Sequence, residues 1–186
     1  MPIHDVPEGD PDRHLSLEEL EKGLRELPPA PKDEGRVAAL FARPGTDRRE
    51  PLEKARLTAE KGMPGDRWSD RDVPKIPAQL AVMQIDVAEL IANGQSISMF
   101  GDNLFLDLDL SLANLAVGTR VQVGGATLEV TPEPHDGCIK FKSRFGGDAL
   151  RLVARKETRE HNYRGIYFKV IEDGDVAVGD PVRVLR

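Results

Sequence analysis

The chain is poor in cysteine, in aromatic residues and in long apolar runs. Its 186 residues include one Cys and 5% aromatic side chains, and a single cysteine cannot close an internal disulfide. Charge, Gly or Pro interrupts every apolar run well before the roughly 20 residues needed to cross a bilayer, so we expect no membrane span. The N-terminus lacks the basic start and apolar run of a secretory signal, which favours a cytoplasmic protein.

Several ligand-binding motifs are also missing. No Cys-x-x-Cys or paired-His spacing points to zinc, and no GxGxxG or GKS-type loop points to a nucleotide. The net charge of -6 and pI near 5.3 argue against a general nucleic-acid binder, because such proteins need a basic face to displace counterions. The charge is uneven, however. Residues 1–35 carry ten acids and four bases, whereas residues 135–164, around the single cysteine, carry eight Lys or Arg and four acids.

The first 34 residues differ in composition from the rest. Residues 1–14 are rich in Pro and acid and lack apolar periodicity, which indicates an arm with little intrinsic structure. Ser16 and Glu19 then have the spacing of a capping box, and leucines follow at helical intervals up to a Pro-Pro pair. We therefore predict an acidic arm and helix over residues 1–34. The apolar side of this helix is expected to pack on the main domain or on a partner.

From residue 35 onward, short β-rich runs alternate with Gly, Pro, Asn and Asp. The segment "NLFLDLDL" alternates apolar and acidic residues, as a half-exposed strand does, and "RVQVGGATLEVT" has a Gly-Gly pair typical of a tight hairpin. A similar turn is expected at Asp173 and Gly174, and a short helix capped by Asp86 in "VAELIANG". Many short strands with few short helices predict a mostly β (α+β) fold. We expect a closed or nearly closed β-barrel over residues 35–186, with the N-terminal helix added.

The single cysteine, Cys138, lies in "PHDGCIKFKSRFGGDAL". Nearby cations or a helix N-terminus lower the pKa of a thiol from about 8.5 to between roughly 3.5 and 7.5, which favours the reactive thiolate. If "CIKFK" is an extended strand, Cys138, Lys140 and Lys142 share one face while Ile139 points into the core. The next segment, "GGDALRLVARKETRE", has the pattern of a helix that starts near the same pocket. The alternative is a buried cysteine acting as a small hydrophobe, which Gly137 and the charged neighbours disfavour.

These segments together resemble the MOSC domain family, named after the C-terminal domain of molybdenum-cofactor sulfurases. The similarity extends from about residue 35 to residue 185 and rests on separated motifs in the same order. The motifs are "GMPGDRW" (62–68), "GDNLFLDLDL" (101–110), "LAVGTRVQVGGATLEVT" (115–131), "PHDGCIKFKSRFGGDALRLV" (134–153) and "RGIYFKVIEDGDVAVGDPVRVL" (164–185).

The resemblance implies a compact β-barrel whose cysteine lies in a pocket that holds molybdenum cofactor (molybdopterin) or carries sulfur as a persulfide. By this comparison Cys138 is the molybdenum ligand in the first case and the sulfur carrier in the second. Many members have Pro directly before the cysteine, whereas Gly137 stands here, which places the chain in a subgroup. Pyridoxal phosphate is not expected, because the sulfurase domain that binds it would exceed this chain.

The resemblance also points to residues that bind the cofactor phosphate. Arg67, in "GDRW", would bind it; the alternative is a turn arginine paired with Asp66. Lys140, Lys142 and Arg144 suit an anionic pterin phosphate, since arginine forms bidentate contacts with phosphate, although a solvated strand face explains the two lysines equally well.

Three further polar residues complete the predicted site. Asn103 braces the pocket or maintains strand geometry, and Arg164 completes the anion site or belongs to a polar loop. His135, three residues before the cysteine, is the second catalytic candidate, because it would tune the thiol or relay a proton. The alternative is an exposed loop histidine.

We therefore expect a protein that binds molybdenum cofactor or a sulfur species through Cys138. If the protein is catalytic, it resembles relatives that reduce N-hydroxylated bases or amidoximes, and its substrate would be a small molecule. A separate redox or sulfur-donor protein would be the partner, because the chain has no flavin or iron–sulfur motif. The alternatives are a non-redox module that delivers sulfur or cofactor, and a barrel that serves only as an interaction domain.

Overall fold

The computed structural model describes residues 4–5 and 8–186. The strands are β1 His4–Asp5, β2 Glu34–Gly45, β3 Arg48–Leu52, β4 Lys54–Leu57, β5 Leu80–Gln84, β6 Leu104–Asp107, β7 Arg120–Val123, β8 Ala126–Val130, β9 Ile166–Glu172, β10 Gly174–Ala177 and β11 Pro181–Leu185. The α-helices are α1 Leu17–Glu26, α2 Ile85–Ala92, α3 Ile139–Phe145 and α4 Gly147–Ala154. Short 3-10 helices are formed by Pro11–Arg13, Ile76–Ala78, Ile97–Phe100 and Lys156–His161.

Seven strands close into a mixed β-barrel, in the order β2, β11, β7, β8, β9, β5, β6 and back to β2. The pair β5–β6 is parallel, and α2 lies in the connection between them, as a parallel pair requires a crossover. The other neighbours in the barrel are antiparallel. The predicted closed barrel with added short helices is confirmed.

Apolar side chains form two clusters. One fills the barrel, and the other lies between the outer barrel wall and the helices. Strand β6 serves both, because Leu104 and Leu106 point into the barrel while Phe105 packs with the helices. The prediction that "NLFLDLDL" is half exposed holds only in part, because Asp107 and Asp109 are partly exposed whereas helices cover Phe105.

Helix α1 begins with the predicted capping box: Ser16 accepts a hydrogen bond from Glu19 N, and the Glu19 carboxylate accepts one from Ser16 N at 2.8 Å. Leu20 is fully buried in the helical cluster. The predicted N-terminal arm lies partly outside the described residues. Among the described residues, no helix is both long and apolar enough to pass through a bilayer.

Three local predictions were wrong. The segment "CIKFK" is helical, since Phe141 and Phe145 are buried one turn apart while Ile139 is 77% exposed. No hairpin forms at Asp173–Gly174, because β10 leaves β9 and pairs with β4. Asp86 lies inside the first turn of α2, where Gln84 is the N-cap residue. The Gly-Gly hairpin between β7 and β8 is present as predicted.

Candidate functional site

Cys138 is the N-cap residue of α3, and its side chain is exposed. Its carbonyl oxygen accepts the first hydrogen bond of the helix, from Lys142 N at 3.0 Å. An exposed thiol does not fill the core, so the interpretation of Cys138 as a buried hydrophobe was wrong. The thiol is accessible to a ligand or a partner.

The segment of residues 99–103, here called the 99–103 loop, gathers arginines from three parts of the chain. Its first three carbonyl oxygens, at residues 99, 100 and 101, accept hydrogen bonds from Arg144, Arg164 and Arg43 at 2.8, 3.2 and 3.2 Å. The loop ends in the "GDN" motif that the sequence singled out. It therefore connects α3, which carries Cys138, with strand β2 and with the segment before β9.

Asp66 neutralises one of these arginines. Its carboxylate accepts hydrogen bonds from Arg43 Nε at 2.7 Å and from Asn103 Nδ2 at 2.8 Å, and the Asp66 side chain is 1% exposed. Burial raises the pKa of Asp66. The Arg43 guanidinium, together with the hydrogen bonds that the Asp66 carboxylate accepts from Trp68 N and Asn103, outweighs this effect, so the pKa of Asp66 lies below its usual value. Asn103 is thus a buried brace.

Arg49 is a buried cation next to this group. The residue is 5% exposed, its Nη1 donates to the carbonyl oxygen of Arg48 at 2.8 Å, and its Nε has no hydrogen-bond partner among the described residues. Burial, followed by repulsion from Arg43, Arg144 and Arg67, lowers the pKa of Arg49 to about 10. The Arg49 guanidinium packs against Gly101, where an added Cβ would lie 2.6 Å from Arg49 Nη2.

Asp47, in the turn between β2 and β3, connects these arginines to α3. It accepts hydrogen bonds from Lys140 Nζ and Arg144 Nη2, both at 2.6 Å. We call the group of five cations around the two carboxylates the basic cluster. Its members are Arg43, Arg49, Arg67, Arg144 and Lys140, with Asp47 and Asp66. Five cations against two carboxylates leave an excess of three positive charges, which favours an anionic ligand.

A second buried group lies on the other side of the 99–103 loop. Arg164 Nη1 donates to Asp102 at 2.8 Å, and His135 Nε2 lies 3.5 Å from the other Asp102 oxygen. The His135 side chain is 4% exposed and its ring lies 4.4 Å from that of Tyr167, so the alternative of an exposed loop histidine was wrong. The Arg164 guanidinium also lies 5.4 Å from the ring of Phe141 on α3.

Burial dominates the protonation of both titratable partners of Arg164. It raises the pKa of Asp102, although the adjacent Arg164 acts against it. Burial, with repulsion from Arg164 and Arg43, lowers the pKa of His135 well below its usual value near 6.5. His135 is therefore a neutral imidazole at neutral pH.

The neutral state of His135 predicts acid sensitivity. Below pH 6.5 the unfolded chain binds a proton that the folded chain excludes, so the free energy of unfolding should fall by up to about 1.4 kcal/mol per pH unit as the pH decreases. The measurement is urea unfolding at pH 7.5 and 5.5. His135→Asn should reduce this loss, whereas His161→Gln, at an exposed site, should retain it. An identical loss in wild type and His135→Asn would show that folding leaves the pKa of His135 unchanged.

The structure brings most of the predicted residues together. Lys140 and Arg144 bind Asp47, and Arg144 also binds the 99–103 loop, to which Asn103 belongs. Lys142 is exposed on α3. Arg67 is not paired with Asp66 as the alternative supposed; its Nη1 donates to Thr46 Oγ1 at 3.1 Å, and Arg43 occupies Asp66.

Arg43, Arg49 and Asp47 were missed. Their only sequence signal is the dense charge of "ARPGTDRRE", which is equally typical of a solvated hairpin. Among the described residues, no group of three or more His, Cys, Asp or Glu side chains could hold a metal ion. Any metal at this site must therefore rely on the thiol and on ligands that arrive with it.

Comparison with known proteins assigns the chain to a family. The family model of the MOSC domain matches residues 78–183, more than half of the chain, and the protein belongs to the MOSC domain family. This family is associated with molybdenum cofactor. The uncharacterized protein YflK of Bacillus subtilis (strain 168) is 28% identical over 97 residues, which cover 52% of this chain and 41% of YflK. The chain thus spans about two fifths of the length of that curated relative.

Solved structures share the fold at low sequence identity. The YuaD protein from Bacillus subtilis matches with a TM-score of 0.61 at 19% identity, over 81% of this chain and 95% of YuaD. YiiM from Escherichia coli matches with a TM-score of 0.54 at 20% identity, over 81% of this chain and 70% of YiiM. These similarities show the barrel architecture alone.

Proposed function

We propose that the protein binds molybdenum cofactor, with the Cys138 thiolate as metal ligand and the basic cluster as the seat of the anionic pterin phosphate. The observation that carries this proposal is the excess of three cations, which include the buried Arg49, whose Nε has no hydrogen-bond partner among the described residues. A buried cation is costly without a partner, and a phosphate would supply it. A single soft sulfur ligand suits a metal that arrives already held by a dithiolene.

The chain's own residues position the thiol. Asp47 holds Lys140 and Arg144, which lie on the same helix as Cys138, and Arg144 also holds the 99–103 loop. Bound molybdenum would supply an acceptor for an oxygen atom taken from an N-hydroxylated substrate. The electrons would come from a separate redox protein, since the chain itself carries no flavin or iron–sulfur motif.

The second candidate function is sulfur delivery, with Cys138 as a persulfide carrier. The exposure of the thiol favours it, because a donor or acceptor protein must reach the sulfur directly. The two functions leave different contents in the purified protein: molybdenum and a fluorescent pterin in the first case, and cyanide-labile sulfur on Cys138 in the second.

The test is the molybdenum content of protein expressed in a host that makes the cofactor. Cys138→Ser should lower the molybdenum-to-protein ratio at least about tenfold, because the hydroxyl is a poor ligand for a soft site. Serine is a preferred N-cap residue, so the fold should persist. The matched control is Ser143→Ala, an exposed position on the same helix. Equal molybdenum in all three proteins would exclude Cys138 as the ligand, and cyanide-labile sulfur without molybdenum would favour the carrier.

A further inference from the structure

The N-terminal arm, residues 1–14, reaches the strand that carries part of the basic cluster. Strand β1, near the start of the arm, pairs antiparallel with β3, so that His4 lies opposite Arg49 and Asp5 lies opposite Arg48. This attachment consists of two residue pairs, and each backbone hydrogen bond contributes only modestly to stability. The tip of the arm can therefore leave β3 without unfolding the barrel, because β3 remains paired with β2.

The other end of the arm is held firmly at the end of α3. Gly9 lies against Arg144, since a Cβ added at Gly9 would clash with the Arg144 backbone. Asp10 N donates to Gln95 Oε1 at 2.8 Å, and Gln95 Nε2 in turn donates to the carbonyl oxygen of Arg144 at 3.1 Å. His14 Nε2 lies 3.2 Å from the same oxygen. The arm thus has a fixed end and a lightly attached tip.

The two attachment points lie on two members of the basic cluster. One is the strand segment that contains Arg49, and the other is the end of α3 that contains Arg144. From Asp5 to Gly9 the chain advances four residues, which span at most about 14 Å when fully extended. The chain between the two points therefore crosses directly from one cationic residue to the other.

The arm and the basic cluster carry opposite charge excesses. The arm contains four acids and one Arg, a net charge of -3 with neutral His, whereas the basic cluster has three cations in excess. Asp10 lies 4.0 Å from Arg13, which leaves Asp5, Glu8 and Asp12 as the acidic excess of the arm. The opposite charges attract the arm to the cluster, and the acids weaken the positive potential that would attract an anion.

Access to Arg49 requires a movement. Its side chain belongs to the proposed anion-binding site, yet the residue is only 5% exposed. The elements next to Arg49 include β2, the 99–103 loop and β1. Strand β2 and the loop continue into the barrel, whereas β1 is attached through two residue pairs. The tip of the arm is therefore the neighbour that moves at the lowest cost.

We propose that the N-terminal arm is an inhibitory strap that competes with the anionic ligand for the basic cluster. The arm pairs with β3 when no ligand is bound, and the ligand displaces the tip while residues 9–14 remain attached to α3. This regulation rests on the proposed function, since it requires the anion-binding site in the basic cluster. It does not require Cys138 or molybdenum.

The first test measures the Kd for inorganic phosphate by phosphorus NMR on the full chain. An ionic strength of about 0.1 M is suitable, because the Debye length is then about 10 Å and remote charges are screened. Asp5→Asn combined with Glu8→Gln removes the acids of the tip and should lower the Kd at least about threefold. The matched control is Glu18→Gln combined with Glu60→Gln, two exposed acids outside the arm, which should leave the Kd unchanged.

The second test follows the arm itself in the wild-type protein. Hydrogen–deuterium exchange of the fragment that contains residues 1–8 should increase when phosphate saturates the protein, because the amides of β1 lose their pairing with β3. A decrease in exchange would show that the arm closes over the ligand, and an unchanged exchange would show that the arm stays paired. Either result overturns the strap.

Arg49→Met distinguishes failure of the strap from failure of the anion-binding site. This variant should weaken phosphate binding at least about tenfold, because it removes a charged donor. Phosphate binding that depends on Arg49 but has the same Kd in wild type and in the tip variant would overturn the strap and retain the site. Phosphate binding that is absent, or that does not depend on Arg49, would overturn the site and the strap together. Thermal unfolding of each variant checks that the barrel is intact.

Discussion

Replacing Asp102 by Asn should lower the free energy of unfolding by about 3–5 kcal/mol, because it leaves the Arg164 guanidinium buried beside no carboxylate. Asp102 is fully buried, and Arg164 Nη1 lies 2.8 Å from it. Urea unfolding at pH 7 measures the loss. A surface pair provides the control: Asp107→Asn removes the partner of Arg36, which is 69% exposed, and should cost no more than about 1 kcal/mol.

The double variant separates the pair from its individual residues. Arg164→Met alone should also be strongly destabilising, since it leaves a buried carboxylate uncompensated. Removing both charges should cost less than the sum of the single losses, because a buried ion pair contributes little beyond what an apolar pair of similar volume does. Additive losses would show that Asp102 and Arg164 act through different neighbours.

The sequence predicted those parts of the fold that depend on local physics. The capping box at Ser16 and the Gly-Gly hairpin were found because each signal lies within a few consecutive residues. The prediction for "CIKFK" failed because apolar residues spaced by two and by four are compatible with both strand and helix. The segment "NLFLDLDL" does contain the predicted strand, and only the exposure of Phe105 was mispredicted. Which face is buried depended on where the helical cluster packs.

The candidate site was predictable only in part, for a related reason. Cys138, Lys140 and Arg144 are close in sequence, and a local charge count drew attention to them. The remaining cations of the basic cluster lie far earlier in the chain, at residues 43, 49 and 67, and approach α3 through Asp47 and the 99–103 loop. No local pattern indicates that contact. The environment of His135 was also unpredictable, because its local sequence resembled an exposed loop whereas tertiary packing buries its side chain.

The family match and the site cover different parts of the chain. The matched residues, 78–183, include Asp102, His135 and Cys138, but the β2–β3 hairpin that supplies Arg43, Asp47 and Arg49 lies before them. The charge excess of the basic cluster therefore rests largely on residues outside the match. Substitutions at Arg49 and at Cys138 consequently test different statements. A substitution at Arg49 tests the anion-binding site of this chain, and one at Cys138 tests the thiol ligand that the family resemblance implies.

Gly165 should be the least tolerant glycine next to the site. Its φ is +98, and a Cβ there would lie well under 3.0 Å from the carbonyl oxygen of Val82 in β5, a separation that real Cβ atoms essentially never show. It would also lie 3.0 Å from His135 Nδ1. Both neighbours are fixed, Val82 by the barrel and His135 by burial. Gly165→Ala therefore combines backbone strain with overpacking, and we expect a loss of about 3 kcal/mol or more in the free energy of unfolding.

Gly118 is the matched control, because its φ of +87 is similar but nothing lies within 4 Å of a Cβ added there. Gly118→Ala should therefore show the backbone strain alone, about 1–2 kcal/mol. Urea unfolding of the two variants gives the cost of the steric contact by difference. Equal losses would mean that β5 and the segment before β9 can move apart without cost. In that case the close packing that holds His135 and Arg164 in place would not be rigid, and the buried ion pair would lose its fixed geometry.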